Sequence, residues 1–338
     1  MKGILLVNLG SPNSPQPADV RRYLDEFLMD ERVIDLPWLL RALLVKGIIL
    51  NTRPKKSAKA YQKIWWPEGS PLIVLSDKLT QGVKTQVQAP VALAMRYGQP
   101  SIASGLQSLS EQGVTEVLLV PLYPQHAMAT TETIVVLAQQ LAAQQHPGMR
   151  IDVLPAFYNR QSYITALSTS IQESLQAFQP DYLLFSYHGV PERHIRKSDV
   201  TRSHCRIDGQ CCVTPSAAHE FCYRHQCYET TRQVAEALQL KTDFYSTSFQ
   251  SRLGRDPWLQ PYTDATIERL AHEGVKRLAV VTPAFVSDCL ETLEEIGMEG
   301  AEEFKEAGGE AFLAIPCLND RADWIAALSG WMNDYLTA

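Results

Sequence analysis

Short apolar runs alternate along the whole chain with longer stretches in which apolar residues return every three or four positions. The runs predict strands at Gly3–Asn8, Val91–Met95, Glu116–Val120 and Ile151–Leu154, and the helical spacing predicts helices between them, as at Ile102–Gln112 and Thr130–Gln145. The order then starts again. Strands are expected at Tyr182–Tyr187, Asp243–Tyr245, Arg277–Val281 and Ala311–Ile315, and helices near Cys227–Leu238, Thr263–Glu273 and Cys289–Phe304, with a closing helix at Ala322–Tyr335. Strands that are apolar throughout, rather than at alternate positions, are buried on both faces. Joined by helices, they imply parallel sheets with helices on either side.

The two halves also resemble each other. "GILLVNLGSP" near the start parallels "YLLFSYHGVP" from Tyr182, and "EQGVTEVLLVPLYP" from Glu111 parallels "HEGVKRLAVVTPAF" from His272. The expectation is an α/β protein of two similar Rossmann-like domains, each with a four-stranded parallel sheet flanked by helices. Residues 1–160, joined by the C-terminal helix 318–338, form the first, and residues 161–317 the second. In such sheets ligands bind beyond the carboxyl ends of the strands. That rule picks out Gly10–Ser11, Arg96–Tyr97 and Tyr123–Gln125 in the first half, and His188, Thr247–Gln250 and Pro283–Glu291 in the second. Two domains facing each other across these ends would enclose a cleft.

Composition narrows the classes. The 338 residues are 45% hydrophobic and 20% charged, as in a globular protein with well-buried cores. A net charge of -6 argues against a nucleic-acid binder, which carries a basic face. "MKGILLVNLGSP" is too short an apolar run for a signal peptide and has no small-residue cleavage site, so it reads as a first strand. No stretch reaches the length of a membrane span. A cytoplasmic protein is expected, and there thiols stay reduced. No Gly-x-Gly-x-x-Gly follows a strand, and there is no phosphate loop or nucleophile elbow. No nucleotide cofactor is expected.

Several residues could carry chemistry. His188 ends the strand "YLLFSYH", where an imidazole can accept a proton or ligate a metal, or simply bond to backbone. In "SDCLETLEEI", Asp288, Glu291 and Glu295 fall at i, i+3 and i+7 and would share a helix face, a row able to pass protons or a divalent cation. The same acids suit a helix N-terminus, and Asp288 with Glu291 has the spacing of a capping box variant. The loop "STSFQSRLGRDPWLQPYT" offers Arg252, Arg255 and Trp258 to an anionic aromatic ligand, although a Trp can also anchor a loop to the core. Arg96 and Tyr97 admit the same two readings. "PWLLRALLVKGIIL", Pro37–Leu50, is apolar except for Arg41 and Lys46. It is either a buried helix or a lip touching membrane or a greasy ligand, and the two cations favour the lip. "NTRPKKSAKAYQK" adds a basic patch beside it.

Eight segments, taken in order, resemble the ferrochelatase family: "LLVNLGSP", "VRRYLDEFLMDERVIDLP", "YQKIWWPEGSPL", "AMRYGQPSI", "PLYPQHAMATT", "FSYHGVPERH", "TSFQSRLGRDPWLQPYT" and "AFVSDCLETLEEI". The resemblance implies insertion of ferrous iron into protoporphyrin IX, the last step of haem synthesis, in a porphyrin cleft between two facing domains. Porphyrin and Fe2+ are then the substrates. By motif match, His188 is the active-site histidine and Glu291 its acidic partner, both able to meet the iron. Asp288 and Glu295 extend the acidic row, and Arg96, Tyr97, Tyr123, Ser248 and Trp258 match porphyrin-binding positions. The 37–50 lip would touch the inner membrane peripherally. Coproporphyrin III as substrate, a cobalt or nickel chelatase of a related tetrapyrrole, and a non-catalytic tetrapyrrole binder are the alternatives.

One stretch falls outside the resemblance. "HCRIDGQCCVTPSAAHEFCYRHQC", His204–Cys227, holds five of the seven cysteines and three histidines within an insertion at residues 196–228. Reduced thiols so clustered suggest a metal site rather than disulfides. The spacing C-x5-C-C-x9-C-x4-C lacks the C-x2-C knuckles of zinc ribbons. Some ferrochelatases carry a [2Fe–2S] cluster on four cysteines. The expectation is such a cluster, drawn from Cys205, Cys211, Cys212, Cys222 and Cys227, with zinc or no metal as the alternative. The choice between adjacent Cys211 and Cys212 stays open. Cys227 is the weakest of the others, because cluster-free relatives carry it. Cys289 and Cys317 are expected to bind nothing.

Overall fold

The computed structural model describes residues 1–252, 254 and 256–338. Arg255, named above, lies outside the described residues. The chain divides into two compact units. One comprises Met1–Tyr123, Met128–Pro155 and Asn319–Ala338; the other comprises Pro124–Ala127 and Ala156–Leu318.

The first unit holds β1 (Lys2–Gly10), β2 (Val91–Tyr97), β3 (Glu116–Pro121) and β4 (Arg150–Val153), all parallel, in the order β2-β1-β3-β4. Its helices are α1 (Pro17–Leu28), α2 (Trp38–Leu44), α3 (Leu50–Ile64), α4 (Pro71–Lys84), α5 (Ile102–Glu111) and α6 (Thr133–Gln145). Ile4, Leu5, Leu6 and Val7 of β1 are all fully buried, as a strand covered on both faces requires. Leu5 and Val7 share a core with Ile102, Leu106 and Leu109 of α5 and Ile134 and Ala138 of α6. At the carboxyl end of β1, Gly10 has φ +112°, and a Cβ there would lie 1.8 Å from the carbonyl oxygen of Tyr97. Only glycine lets β1 and β2 close at the end where a ligand is expected.

The second unit holds β5 (Tyr182–His188), β6 (Tyr245–Gln250), β7 (Arg277–Val281) and β8 (Ala311–Ala314), again all parallel, in the order β6-β5-β7-β8. Counted within each unit, the two sheets have the same strand order. The helices here are α7 (Gln161–Phe178), α8 (Glu192–Lys197), α9 (Tyr223–Ala237), α10 (Thr263–His272) and α11 (Ala301–Glu306). Leu184, Leu278 and Val280 pack with Ile267, Leu270, Ile296 and Phe304. The last helix, α12 (Ala322–Thr337), belongs to the first unit, where the Tyr335 hydroxyl donates to Asp152 and Lys2 donates to the Tyr335 carbonyl. The α/β class with two four-stranded parallel sheets is as the apolar pattern implied.

Several elements differ from that pattern. β6 starts where a short strand was expected to end, because its residues "YSTSFQ" are too polar to announce a buried strand. Ser248 and Ser186 of the neighbouring β5 both bond to Thr263, each at 2.8 Å, so the buried hydroxyls satisfy one another. Cys289–Phe304 is not one α-helix: Glu291–Gly300 is a π-helix, followed by α11. Met128–Glu132, ahead of α6, is also π-helical, and so is Val45–Ile49 between α2 and α3. The basic stretch after the lip is helical despite Pro54. Proline has no N–H for the Leu50 carbonyl one turn back, and Arg21 donates to that carbonyl instead. No helix among the described residues is long and apolar enough to cross a membrane.

Candidate active site and thiol loop

In the shared strand order, the connections after the first and third strands leave in opposite directions, which opens a crevice between their carboxyl ends. In the second unit that crevice is edged by the end of β5 and the loop after β7. His188 is the last residue of β5 and half-buried. Its Nδ1 lies 2.7 Å from the Gly189 carbonyl oxygen. A carbonyl only accepts, so Nδ1 carries the hydrogen, and in the neutral imidazole Nε2 then keeps its lone pair.

Gly189 allows this strand end to press against its neighbours. A Cβ there would sit 3.0 Å from the Gln250 carbonyl oxygen, 2.9 Å from that of Ser251 and 3.4 Å from the Trp258 ring. Gln250 is the hub. Its carbonyl accepts from Gly189 N at 2.6 Å, its side-chain oxygen from Ser186 at 2.9 Å, and its amide nitrogen donates to the Glu291 carbonyl at 3.2 Å. Ser251 donates to the Glu295 carboxylate at 2.7 Å. The Phe285 ring stands edge-on to His188 with centroids 6.3 Å apart. The end of β5, the Trp258 ring and the Glu291 backbone thus meet around Gly189 and Gln250, with Glu295 tied in through the next residue, Ser251.

Two residues named with them point elsewhere. Asp288 precedes the π-helix rather than lying on its face. It is buried and accepts from Thr292 Oγ1 at 2.8 Å and Cys317 N at 3.3 Å. The acidic row thus reduces to Glu291 and Glu295, about one turn apart. Ser248 is fully buried against Thr263. Cys289 hydrogen-bonds to Glu291; burial, with that carboxylate adding to it, pushes the thiol well up.

In the first unit, Arg96 and Tyr97 converge on Asp30, which sequence reasoning missed. The Asp30 side chain is 5% exposed and accepts from Arg96 Nη2 at 2.5 Å, Tyr97 Oη at 2.9 Å and the Thr133 hydroxyl. Arg32 N bonds to its other oxygen at 2.7 Å. Burial opposes the carboxylate, but these donors outweigh it and hold its pKa below the ordinary value. The hint in the sequence was an acid just past the end of α1, where cations are favoured. Tyr97 has no exposed surface. Tyr123 is nearly buried and donates to Asn8 Oδ1 at 3.2 Å, while Asn8 donates to Ser76 at 3.1 Å. Neither Tyr97 nor Ser248 has exposed surface.

The thiol loop is folded around its own backbone. All five of its cysteines are buried and free. Cys205 and Cys212 each hydrogen-bond to Cys222, and Cys211 to Cys212. Cys227 hydrogen-bonds to the Tyr223 side chain rather than to another thiol, with Tyr187 and Cys212 nearby. The Asp199 carboxylate accepts from the backbone amides of Thr201, His204 and Cys205, and Asp208 from those of Gln210 and Cys211. His204 and His219 donate to the Cys211 carbonyl at 2.7 and 2.9 Å, and His225 to the Cys212 carbonyl at 2.7 Å. The histidines thus hold the Cys211–Cys212 backbone. Arg224 donates to the Cys212 sulfur at 3.4 Å. Among the described residues no three His, Cys, Asp or Glu side chains converge as a single ion requires.

The lip has its polarity reversed. Trp38, Leu39, Leu40, Leu43 and Ile48 are 53–66% exposed. Arg41 is buried and donates to the carbonyls of Ile34 and Leu36 at 3.2 and 2.9 Å. The expectation that both cations would keep the segment at the surface therefore holds for Lys46 but not for Arg41. Arg53, Lys55, Lys56 and Lys59 on α3 are exposed.

A family model described as Ferrochelatase matches residues 1–336. The chain is 53% identical over 328 residues to the ferrochelatase of Ectopseudomonas mendocina (strain ymp), covering 96% of this chain and 95% of that one. It is 50% identical over 340 residues to the ferrochelatase of Opitutus terrae (strain DSM 11246 / JCM 15787 / PB90-1), covering 100% and 98%. Among solved structures, SirB from Bacillus subtilis with Fe3+ aligns over 98% of this chain and 94% of that one, with a TM-score of 0.53 at 13% identity, a likeness of fold alone. A match over nearly every residue, with relatives identical at half their positions, decides the affiliation: the chain belongs to the ferrochelatase family.

Proposed function

We propose that the chain inserts ferrous iron into protoporphyrin IX to give protohaem, with His188 as the proton acceptor. The observation that carries this is the His188 tautomer: Nδ1–H is spent on the Gly189 carbonyl, so Nε2 is available as a base at the mouth of β5. A free porphyrin carries two pyrrolic N–H protons, and both must leave as Fe2+ enters. His188 Nε2 takes a pyrrolic proton, and Glu291 and Glu295 offer carboxylates for the cation or the departing proton. Asp288 braces the start of that helix. Trp258 supplies a flat apolar wall beside His188. Arg96, pinned through Nε and Nη2 to Thr133 and Asp30, has Nη1 without a partner among the described residues, suited to a propionate. Tyr97 and Tyr123 brace the strand ends of the first unit, and Ser248 those of the second.

The test is anaerobic incubation of purified protein with ferrous iron and either protoporphyrin IX or coproporphyrin III, following haem absorbance. Faster turnover of protoporphyrin supports the reading. Faster turnover of coproporphyrin moves the activity to that substrate, and no haem from either removes it.

The four thiols Cys205, Cys211, Cys212 and Cys222 are proposed to hold a [2Fe–2S] cluster, with Cys227 spare. The donor set fits: each iron of such a cluster takes two thiolates, so paired thiols suffice where a single ion would need three or four donors at one point. When bound, it would cross-link the loop and add a one-electron couple beside α9. Anaerobically purified protein is expected to absorb in the visible range and to contain iron and acid-labile sulfide in equal amounts. Cys222→Ser should abolish both signals and Cys227→Ser should keep them. Zinc in place of iron would sink this assignment.

The chain is read as cytoplasmic, with α2 and the exposed cations of α3 meeting the inner membrane. A greasy substrate and product make such contact useful, and an apolar outer face over a buried Arg41 has no other evident purpose. Co-sedimentation with vesicles containing anionic lipid should be strong for the native protein and lost in Leu39→Glu/Leu43→Glu. Equal sedimentation of both would refute the contact.

A further inference from the structure

Tyr223 opens α9 directly after Cys222, the residue that caps this helix. Its ring is buried, and its hydroxyl donates to the His188 carbonyl oxygen at 2.8 Å. Farther along the same helix, Thr231 shares a hydrogen bond of 2.9 Å with the hydroxyl of Tyr187. One helix thus holds both of the last two residues of β5, and its first turn is continuous with the thiol loop. Cys222 is in turn bonded to Cys205 and Cys212. The path from thiols to imidazole thus runs through adjacent residues and hydrogen bonds. The carbonyl that Tyr223 grips and the ring bearing the Nε2 lone pair belong to the same residue, and the ring is fixed to the next carbonyl by Nδ1–H.

We propose that Tyr223 is a positioning residue for His188, and that through it the state of the Cys205/Cys211/Cys212/Cys222 site, filled or empty, sets how well His188 meets the porphyrin. This rests on the reading of His188 as the proton acceptor. Displacements well under an ångström at the end of β5 matter, since a misplacement of about 1 Å can cost roughly 10²-fold in rate. The thiol loop would then act on the insertion step without touching substrate.

Tyr223→Phe removes the one donor and keeps the ring. With ferrous iron and protoporphyrin IX, kcat is expected to fall about tenfold, while the porphyrin KM stays within about twofold, the pattern of a lost transition-state alignment rather than lost binding. Cys222→Ser should lower kcat in the native background and have no further effect in Tyr223→Phe, as two residues on one path behave. Independently of turnover, protein carrying 15N-glycine should show the Gly189 amide signal displaced in both variants and on removal of bound metal by a chelator. A native kcat for Tyr223→Phe, an equal effect of Cys222→Ser in both backgrounds, or a Gly189 signal indifferent to Cys222→Ser would each overturn the proposal. If Tyr223→Phe does not fold, the Gly189 signal in Cys222→Ser decides. Should His188→Ala retain turnover, the reading of His188 fails instead, and the Gly189 signal still tests the link.

Discussion

His188→Ala is expected to lower the rate of iron insertion by about 10³-fold, within the range that a positioned general base contributes. The reason is local. The Nε2 lone pair stands at the carboxyl end of β5 because Nδ1–H is committed to Gly189. Ser251 occupies the Glu295 carboxylate, and the Cys289 thiol bonds to that of Glu291. Porphyrin affinity should change little, since Trp258 and Arg96 are untouched. Fluorescence quenching of the porphyrin measures the affinity, and anaerobic haem formation measures the rate. A variant binding porphyrin normally and turning over near the native rate would exclude His188 from proton transfer.

Asp30→Asn carries the largest expected loss of stability, roughly 3 kcal/mol, as when one partner of a buried ion pair is removed and the other is left behind. The carboxylate collects Arg96, Tyr97 and Thr133, two residues from the end of β2 and one from the start of α6. Asn keeps the shape but leaves the Arg96 guanidinium, itself 14% exposed, without its counter-charge. Urea unfolding should show a lower midpoint. The pH dependence has a definite sign. Because the folded-state pKa of Asp30 is depressed, its contribution is complete above the unfolded value, about 4, and is lost as pH falls through the lower folded value. The gap between native and variant proteins should therefore be constant near neutrality and close below about pH 4. A midpoint unchanged at neutral pH would show that the network does not stabilise the unit.

Much of the fold could be read from local pattern. All eight strands were placed, seven with shifted ends and Arg277–Val281 as expected, because a strand buried on both faces must be apolar along its length. The one poorly placed strand, β6, is the exception that pattern cannot see: its Ser248 is fully buried, and its hydroxyl is satisfied by Thr263 at the start of α10, which also bonds to Ser186 of β5. The π-helix at Glu291–Gly300 was equally hidden. Residue spacing suggests an ordinary helix with three acids on a face, whereas Asp288 precedes the π-helix and is buried against Thr292 and Cys317.

What the sequence by itself determined was the α/β class, the repeated halves, the strand ends where chemistry would gather and, through motif resemblance, the family. Those depend on periodicity and on short segments, which are properties of neighbouring residues. Only the tertiary structure decided that His188 presents Nε2, that Asp30 ties down Arg96 and Tyr97, that the lip turns its apolar side outward over Arg41, that four thiols gather while Cys227 stands apart, and that Tyr223 joins their loop to β5. The physical reason is common to all of these. Hydrogen-bond partners such as Asp30 and Thr133, 103 positions apart, or His188 and Tyr223, 35 apart, are chosen by where the packed sheets bring them, and no local spacing encodes that meeting.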